Sequence, residues 1–177
     1  MTTRSILFST LGCFCFLVCA CNGTSPEAPK PGANSTVPAA TQPTTAAAPI
    51  APLTSFRVEW ISQQVPTEME VLKWYDATIT LRNPTNVLWP ARGPIPGSVN
   101  IAYHWSSPQG KLLVLDGERT PFPHDIGPGE TIKLDKVRVI APASPGEYRL
   151  QISLVQEGVS WFESQGAKTI TVPVKVR

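Results

Sequence analysis

Cysteine is confined to the first 21 residues of this 177-residue chain, where Cys13, Cys15, Cys19 and Cys21 are its only four. A disulfide framework beyond that point is excluded, as are a thiolate metal site and a cysteine nucleophile. Histidine is nearly as scarce, with only His104 and His124, so an imidazole-based metal centre lacks ligands. No Gly-x-Ser-x-Gly elbow surrounds any serine, which removes one common hydrolase signature. An excess of charge of one sign is missing too. With Arg4, Lys30 and Glu27 set aside, residues 54–177 hold 13 basic and 12 acidic side chains and no basic tract. Nucleic acid is therefore not an expected partner. Nor does any run carry the apolar period of a long helix.

What is present divides into three stretches. Residues 1–20 open with one positive charge, Arg4, followed by an apolar run over 6–18 and the small Ala20. That run is shorter than the roughly 20 residues needed to cross a bilayer and reads as a cleavable secretory leader. Its end, Val18-Cys19-Ala20-Cys21, resembles the lipobox of bacterial lipoproteins. The resemblance implies that Cys21 becomes the first mature residue and takes a diacylglycerol on its thiol and an acyl chain on its amino group. Each buried methylene adds about 0.8 kcal/mol, so two or three chains anchor a protein durably to a lipid bilayer. Removal of the leader takes three of the four cysteines with it and leaves no disulfide within a mature monomer. Asn22 stands where an Asp favours inner-membrane retention in Gram-negative cells. The expected address is therefore the bacterial membrane surface, and the outer membrane in a Gram-negative host.

Residues 21–53 shift abruptly to Pro, Thr, Ala and Ser, with prolines at 26, 29, 31, 38, 43, 49 and 52 and no aromatic residue. Such a stretch buries too little apolar surface to offset the entropy of ordering and is expected to be a disordered, extended linker.

Residues 54–177 carry the period-2 alternation of strands between Gly and Pro punctuation. Phe56, Val58 and Trp60 share one face of a first strand, and Tyr75, Ala77, Ile79 and Leu81 one face of a second, ended by the turn Asn83-Pro84-Thr85-Asn86. Val99, Ile101, Tyr103 and Trp105 alternate with Asn100, Ala102 and His104 before Ser107-Pro108-Gln109-Gly110 turns into an apolar return strand. Ile132 and Leu134 have one parity and Val137 and Val139 the other, which predicts a bulge near Asp135-Lys136. Tyr148, Leu150, Ile152 and Leu154, then Ile170, Val172, Val174 and Val176, complete the series, with Pro173 suited to an edge. Seven to eight short strands predict an all-β, immunoglobulin-like antiparallel sandwich, with Tyr148 placed for a tyrosine corner.

The blocks Leu81-Arg82-Asn83-Pro84-Thr85-Asn86-Val87-Leu88-Trp89-Pro90, Tyr103-His104-Trp105, Ile126-Gly127-Pro128-Gly129-Glu130, Ser144-Pro145-Gly146-Glu147-Tyr148 and Val159-Ser160-Trp161-Phe162 resemble an immunoglobulin-like module of bacterial envelope proteins. That module is found appended to glycosyltransferases and methyltransferases of surface-polysaccharide synthesis. The turn blocks are also similar to the four-tryptophan immunoglobulin-like domains of autophagy receptors. The resemblance implies the fold and an association with envelope glycan, and no catalytic activity.

Glu118, Arg119, His124 and Asp125 crowd one Pro-rich loop. Glycoside hydrolysis needs two carboxylates at a set separation, which neighbours in a loop do not provide. The loop is expected to be a crossover in which Arg119 pairs with a carboxylate. No catalytic residue, metal or cofactor is expected. Binding is the alternative chemistry. Trp60, Tyr103 and Trp105 have inward parity and belong to the core, whereas Trp74, Trp89, Trp161 and Phe162 occupy positions open to exposure. Flat aromatic faces stack on sugar rings, and Glu157, His104, Asn100 and Gln156 lie near in sequence to take hydroxyls. The candidate ligand residues are thus Trp161, Phe162, Glu157, His104, Trp89 and Trp74. The competing reading makes Trp89 and Trp161 plugs for the open ends of the sandwich. Two binding functions stand open, a module that binds envelope polysaccharide and a module that docks on an envelope protein, and a hydrolase-like enzyme is a third that would require Glu118, Arg119, His124 and Asp125 to converge in a pocket. Separated tryptophans along a groove mark the first, and a contiguous apolar patch or an unprotected sheet edge the second.

Overall fold

The computed structural model describes residues 48–177. The leader, Cys21 and the linker as far as residue 47 lie outside the described residues. Ten strands form two sheets. Strands β1 (Glu59–Gln64), β3 (Trp74–Arg82) and β7 (Thr131–Ile140) make a three-stranded sheet in the order β1-β3-β7. The other sheet runs β2 (Glu68–Met69), β10 (Ile170–Val176), β8 (Gly146–Gln156), β4 (Val99–Ser106), β5 (Leu112–Val114). Beside it, β6 (Thr120–Pro121) pairs with β4 and β9 (Ser160–Trp161) with β8, and one 3-10 turn spans Glu163–Gln165. All pairings are antiparallel except β2 with β10. The longer strands take the A-B-E and G-F-C-C′ places of an immunoglobulin-like sandwich. The three added strands, β2, β6 and β9, are two residues long, too short to show any alternation.

Ala77, Ile79 and Leu81 of β3 are buried against Val137 and Val139 of β7 and Leu150, Ile152 and Leu154 of β8. The bulge predicted in β7 is present: Ala77 faces Val137 but Ile79 faces Leu134, so the β7 side holds one extra residue, at Asp135 and Lys136. The predicted hairpin turn forms where Gly110 N–H donates to Ser107 O, 2.9 Å. Tyr148 makes the tyrosine corner, its hydroxyl donating to Ser144 O at 2.9 Å. Between the sheets, Ile140 has both backbone groups taken by aromatic residues of β4. Its N–H donates to the Tyr103 hydroxyl (3.0 Å), and its carbonyl accepts from Trp105 Nε1 (3.0 Å).

The last part of the stretch read as linker departs from that reading. Leu53 is buried, and Gln156 grips the segment from inside the sandwich. Its Oε1 accepts from Leu53 N–H (2.8 Å), and its Nε2 donates to Ala51 O (3.0 Å) and Gly97 O (2.9 Å). Ile50 rests on Gly97, where an added Cβ would come within 2.4 Å of it. The reason is long-range: Pro49 and Pro52 suit an extended strap, and a buried amide 103 residues away from Leu53 supplies the partner its backbone needs. Gln156, read as a hydroxyl binder, is thereby a fully occupied structural clamp.

Substitution Gln156→Leu leaves three backbone groups unpaired and should destabilise the domain by about 3 kcal/mol. Urea denaturation checks the value, and limited proteolysis should reveal new cleavage between residues 48 and 54.

Candidate functional site

All eight residues of β4 are buried. Its inward set is apolar, but its outward set, Asn100, Ala102, His104 and Ser106, is mostly polar and lies under a second layer. That layer comes from the segment after β5 and from the β8–β9 hairpin with its 3-10 turn. Gly117 is where the first of these meets β4. Its N–H donates to Tyr103 O at 2.9 Å, and an added Cβ would lie 2.5 Å from the Tyr103 ring.

His104 is the hub. Its Nδ1 bonds Leu115 O and its Nε2 bonds Glu163 Oε1 at 2.7 Å. A carbonyl only accepts, so Nδ1 carries a proton. Glu163 also accepts from the Ser153 hydroxyl. Burial pushes the Glu163 carboxyl up, but the hydrogen bonds from His104 and Ser153 outweigh it and hold the group below the usual carboxylate range. The Nε2 contact is the largest of the interactions that hold the Glu163 carboxyl down. Trp161 packs on the imidazole with ring centroids 4.1 Å apart, and the Arg119 guanidinium stands 5.1 Å from the same indole. Arg119 pairs with Glu157 (2.9 Å) and Asp116 (3.0 Å). Burial works against its charge, and those two carboxylates more than offset it, so its pKa is raised further. Asn100 Nδ2 donates to the same Glu157 oxygen at 3.1 Å.

This constellation is a closed structural network. The carboxylate stands between the Ser153 hydroxyl and the imidazole, so His104 is not placed to take the hydroxyl proton, and Ser153 is buried away from any substrate. The loop residues considered for acid–base chemistry do not converge. His124 bonds Glu130 (2.6 Å), Asp125 caps Ala91 N–H (2.7 Å), and Arg119 is held by its two carboxylates as expected. Among the described residues no group of three or more His, Cys, Asp or Glu side chains is placed to hold a metal ion.

Of the predicted ligand residues, the structure brings His104, Trp161 and Glu157 together. Trp89 and Phe162 are corrections, since both are fully buried. Phe162 packs edge-on against Trp89 (5.5 Å) and Phe56 (5.2 Å), and Trp89 lies 6.2 Å from Phe122. These rings fill one end of the sandwich. Apolar rings next to a core opening gain more from mutual burial than from solvent, although Trp89 Nε1 is left without a protein partner. His104 was expected to face outward and does, but under a cover of protein, with only 5% of its surface exposed. Trp74 stands apart on β3, in the other sheet.

Sequence reasoning missed Glu163, Ser153 and the apolar edge. Leu112, Leu113, Val114 and Leu115 are each exposed by between 38 and 53%. Four aliphatics in a row break the alternation of a half-buried strand, and that break was the available signal. A groove of about 300 Å³ lies beside this edge, over Tyr103 and Trp105, with Leu72, Val114, Asp116 and Glu118 at its walls. Leu72 is itself unusual. It is exposed yet held at φ 57°, a left-handed conformation that costs a bulky residue about 1 kcal/mol or more.

No family model matches the sequence, and no curated protein matches it. Among solved structures, the chain is similar to the CARDB domain of the PF1109 protein from Pyrococcus furiosus, which was solved in complex with di-metal ions. Identity is 16%, the match covers 68% of this chain and 84% of that one, and the TM-score is 0.37. It is also similar to a β-glucosidase from Listeria innocua in complex with glucose, at 10% identity over 67% of this chain and 15% of that one, with a TM-score of 0.40.

Because the Glu163 carboxyl is held below its unfolded value, its contribution to stability is complete above about pH 4.3 and is lost as pH falls through the folded value. The thermal midpoint of Glu163→Gln should lie below that of the wild type at pH 7, and the two should converge on acidification. A gap that stays constant into the acid range would contradict the ionised pairing.

Proposed function

We propose that this chain is a lipid-tethered, non-catalytic adaptor of the bacterial envelope that docks on a partner protein through the edge at residues 112–115. The observation that carries this reading is the contiguous exposed ridge of Leu112, Leu113, Val114 and Leu115. Edge strands are ordinarily blunted by shortness, bulges, charge or proline; β5 is three residues long and bulged, but it carries neither charge nor proline. Within the described residues β5 pairs only with β4, and its bulge at Leu113 turns that side chain out of the ladder. The neighbouring groove has an aromatic floor and the carboxylates of Asp116 and Glu118 at its wall. The matching partner surface carries a large apolar side chain for the groove and basic residues around it. Leu72, kept at this rim despite its backbone strain, supports the same assignment. The glycan reading based on Trp89, Phe162 and Trp161 loses its platform, since two of the rings are buried and the third lies against His104 and Arg119. The tether rests on the lipobox at Cys21.

Three experiments test this function. Cys21→Ser should move the protein from the membrane to the soluble fraction of the source cell; retention on the membrane would refute the lipid anchor. A photo-cross-linking residue at position 113 should capture one discrete envelope protein in intact cells, and the same residue at Thr171 should not. Leu72→Gly, which relieves the strained backbone, should keep or raise the thermal midpoint and weaken that capture. Capture of a second copy of the chain instead, or no capture, would overturn the docking assignment.

A further inference from the structure

The three-stranded sheet carries a second surface, independent of the ridge. On its outer face Trp74, Asp76, Lys136 and Arg138 line a groove of about 330 Å³. The face is outward by register, because Trp74 and Asp76 alternate with the buried Ala77 and Ile79 of β3. Trp74 is 45% exposed even with the Arg138 guanidinium stacked over its ring at 4.3 Å.

Apart from the stacking of Arg138 on Trp74, the two cations here have no charged partner among the described residues. Arg138 stands directly across the ladder from Asp76, yet the ion pairs among the described residues include neither Arg138 nor Lys136. The β7 bulge explains how Lys136 reaches this face. It shares parity with the inward Ile132 and Leu134, and only the extra residue turns it outward beside Arg138. A bulge sacrifices regular pairing and re-aims a side chain. The backbone of Arg138 is fixed as well, its main-chain N–H donating to Thr120 Oγ1 at 3.2 Å.

We propose that this groove binds an acidic saccharide, a sugar ring bearing a carboxylate. The indole of Trp74 takes the apolar C–H face of the ring, Arg138 and Lys136 take the carboxylate, and Asp76 accepts from a hydroxyl. The pairing of cations with a carboxylate in one groove selects this ligand over other anions. A DNA strand, a phosphodiester with no free hydroxyl on its internal units, gives Asp76 no donor to accept from. A neutral sugar would leave the two cations unused.

The test uses the full chain purified in detergent, with polygalacturonate as the uronate probe, dextran as a neutral polymer and a single-stranded oligonucleotide as a phosphodiester polyanion. Saturable binding to polygalacturonate and none to dextran is expected. Trp74→Ala and Arg138→Gln should each weaken it about tenfold, the order expected for losing a charged hydrogen bond or a stacked ring. Lys136→Gln alters only an exposed side chain and should weaken binding without lowering the thermal midpoint, which guards against a folding defect in the other variants. Leu113→Lys should leave saccharide binding unchanged, so failure of the ridge and failure of this groove are separable. Absence of polygalacturonate binding, equal binding to dextran, tighter binding to the oligonucleotide, or binding unaffected by Trp74→Ala would each overturn the proposal.

Discussion

Burial of β4 on both faces is the constraint from which the rest of this domain follows. A central strand with one apolar and one polar face is stable only when the polar groups find partners inside the protein. His104 obtains them from Leu115 O and Glu163, and the Asn100 Nδ2 group obtains one from Glu157, while Asn100 Oδ1 is left without a protein partner. Those partners arrive on the segment after β5 and on the β8–β9 hairpin with its 3-10 turn. Here they are folded down as a second layer, and Arg119 between Glu157 and Asp116 ties one connection to the other. Loops occupied in this way have little freedom left for a ligand. The Ser153, Glu163 and His104 constellation contains reactive side-chain types and yet performs a structural task, because its order and its burial suit pairing rather than proton transfer to a substrate.

The same economy divides the aromatic residues. Trp89, Phe162, Phe122 and Phe56 satisfy one another at one end of the sandwich. Tyr103 and Trp105 carry hydrogen bonds across the core to Ile140. Trp161 closes the lid over His104. Exposed features of the described residues include an aliphatic ridge on one sheet and, on the other, Trp74 beside two cations that form no ion pair. The ridge and the Trp74 groove lie on different sheets of one sandwich.

Much of the architecture was legible in advance. The alternation in β3, β4, β8 and β10 reports which side chains face inward, because side-chain direction in a strand has a period of two. The change of parity between Leu134 and Val137 located the β7 bulge to the residue. The Ser107-Pro108-Gln109-Gly110 turn and the Tyr148 corner were equally readable, since both are made within a few residues. The two-residue strands β2, β6 and β9 were not, for they exist only where a neighbouring strand offers them a ladder. The inner boundary of the linker was illegible for a related reason. Composition describes how residues 48–53 behave alone and does not report the Gln156 amide that captures them.

The candidate site divides along the same line. Residue types and spacing by themselves determined the class of fold, the strand faces and the absence of cysteine from residues 54–177. Tertiary structure alone decided which aromatic rings meet solvent. Exposure is a property of what lies over a residue, and the covers of His104, Trp89 and Phe162 come from segments far away in the chain. Local alternation can say that His104 points away from the apolar core. Only the packed molecule supplies Glu163, 59 residues later, to bury it there.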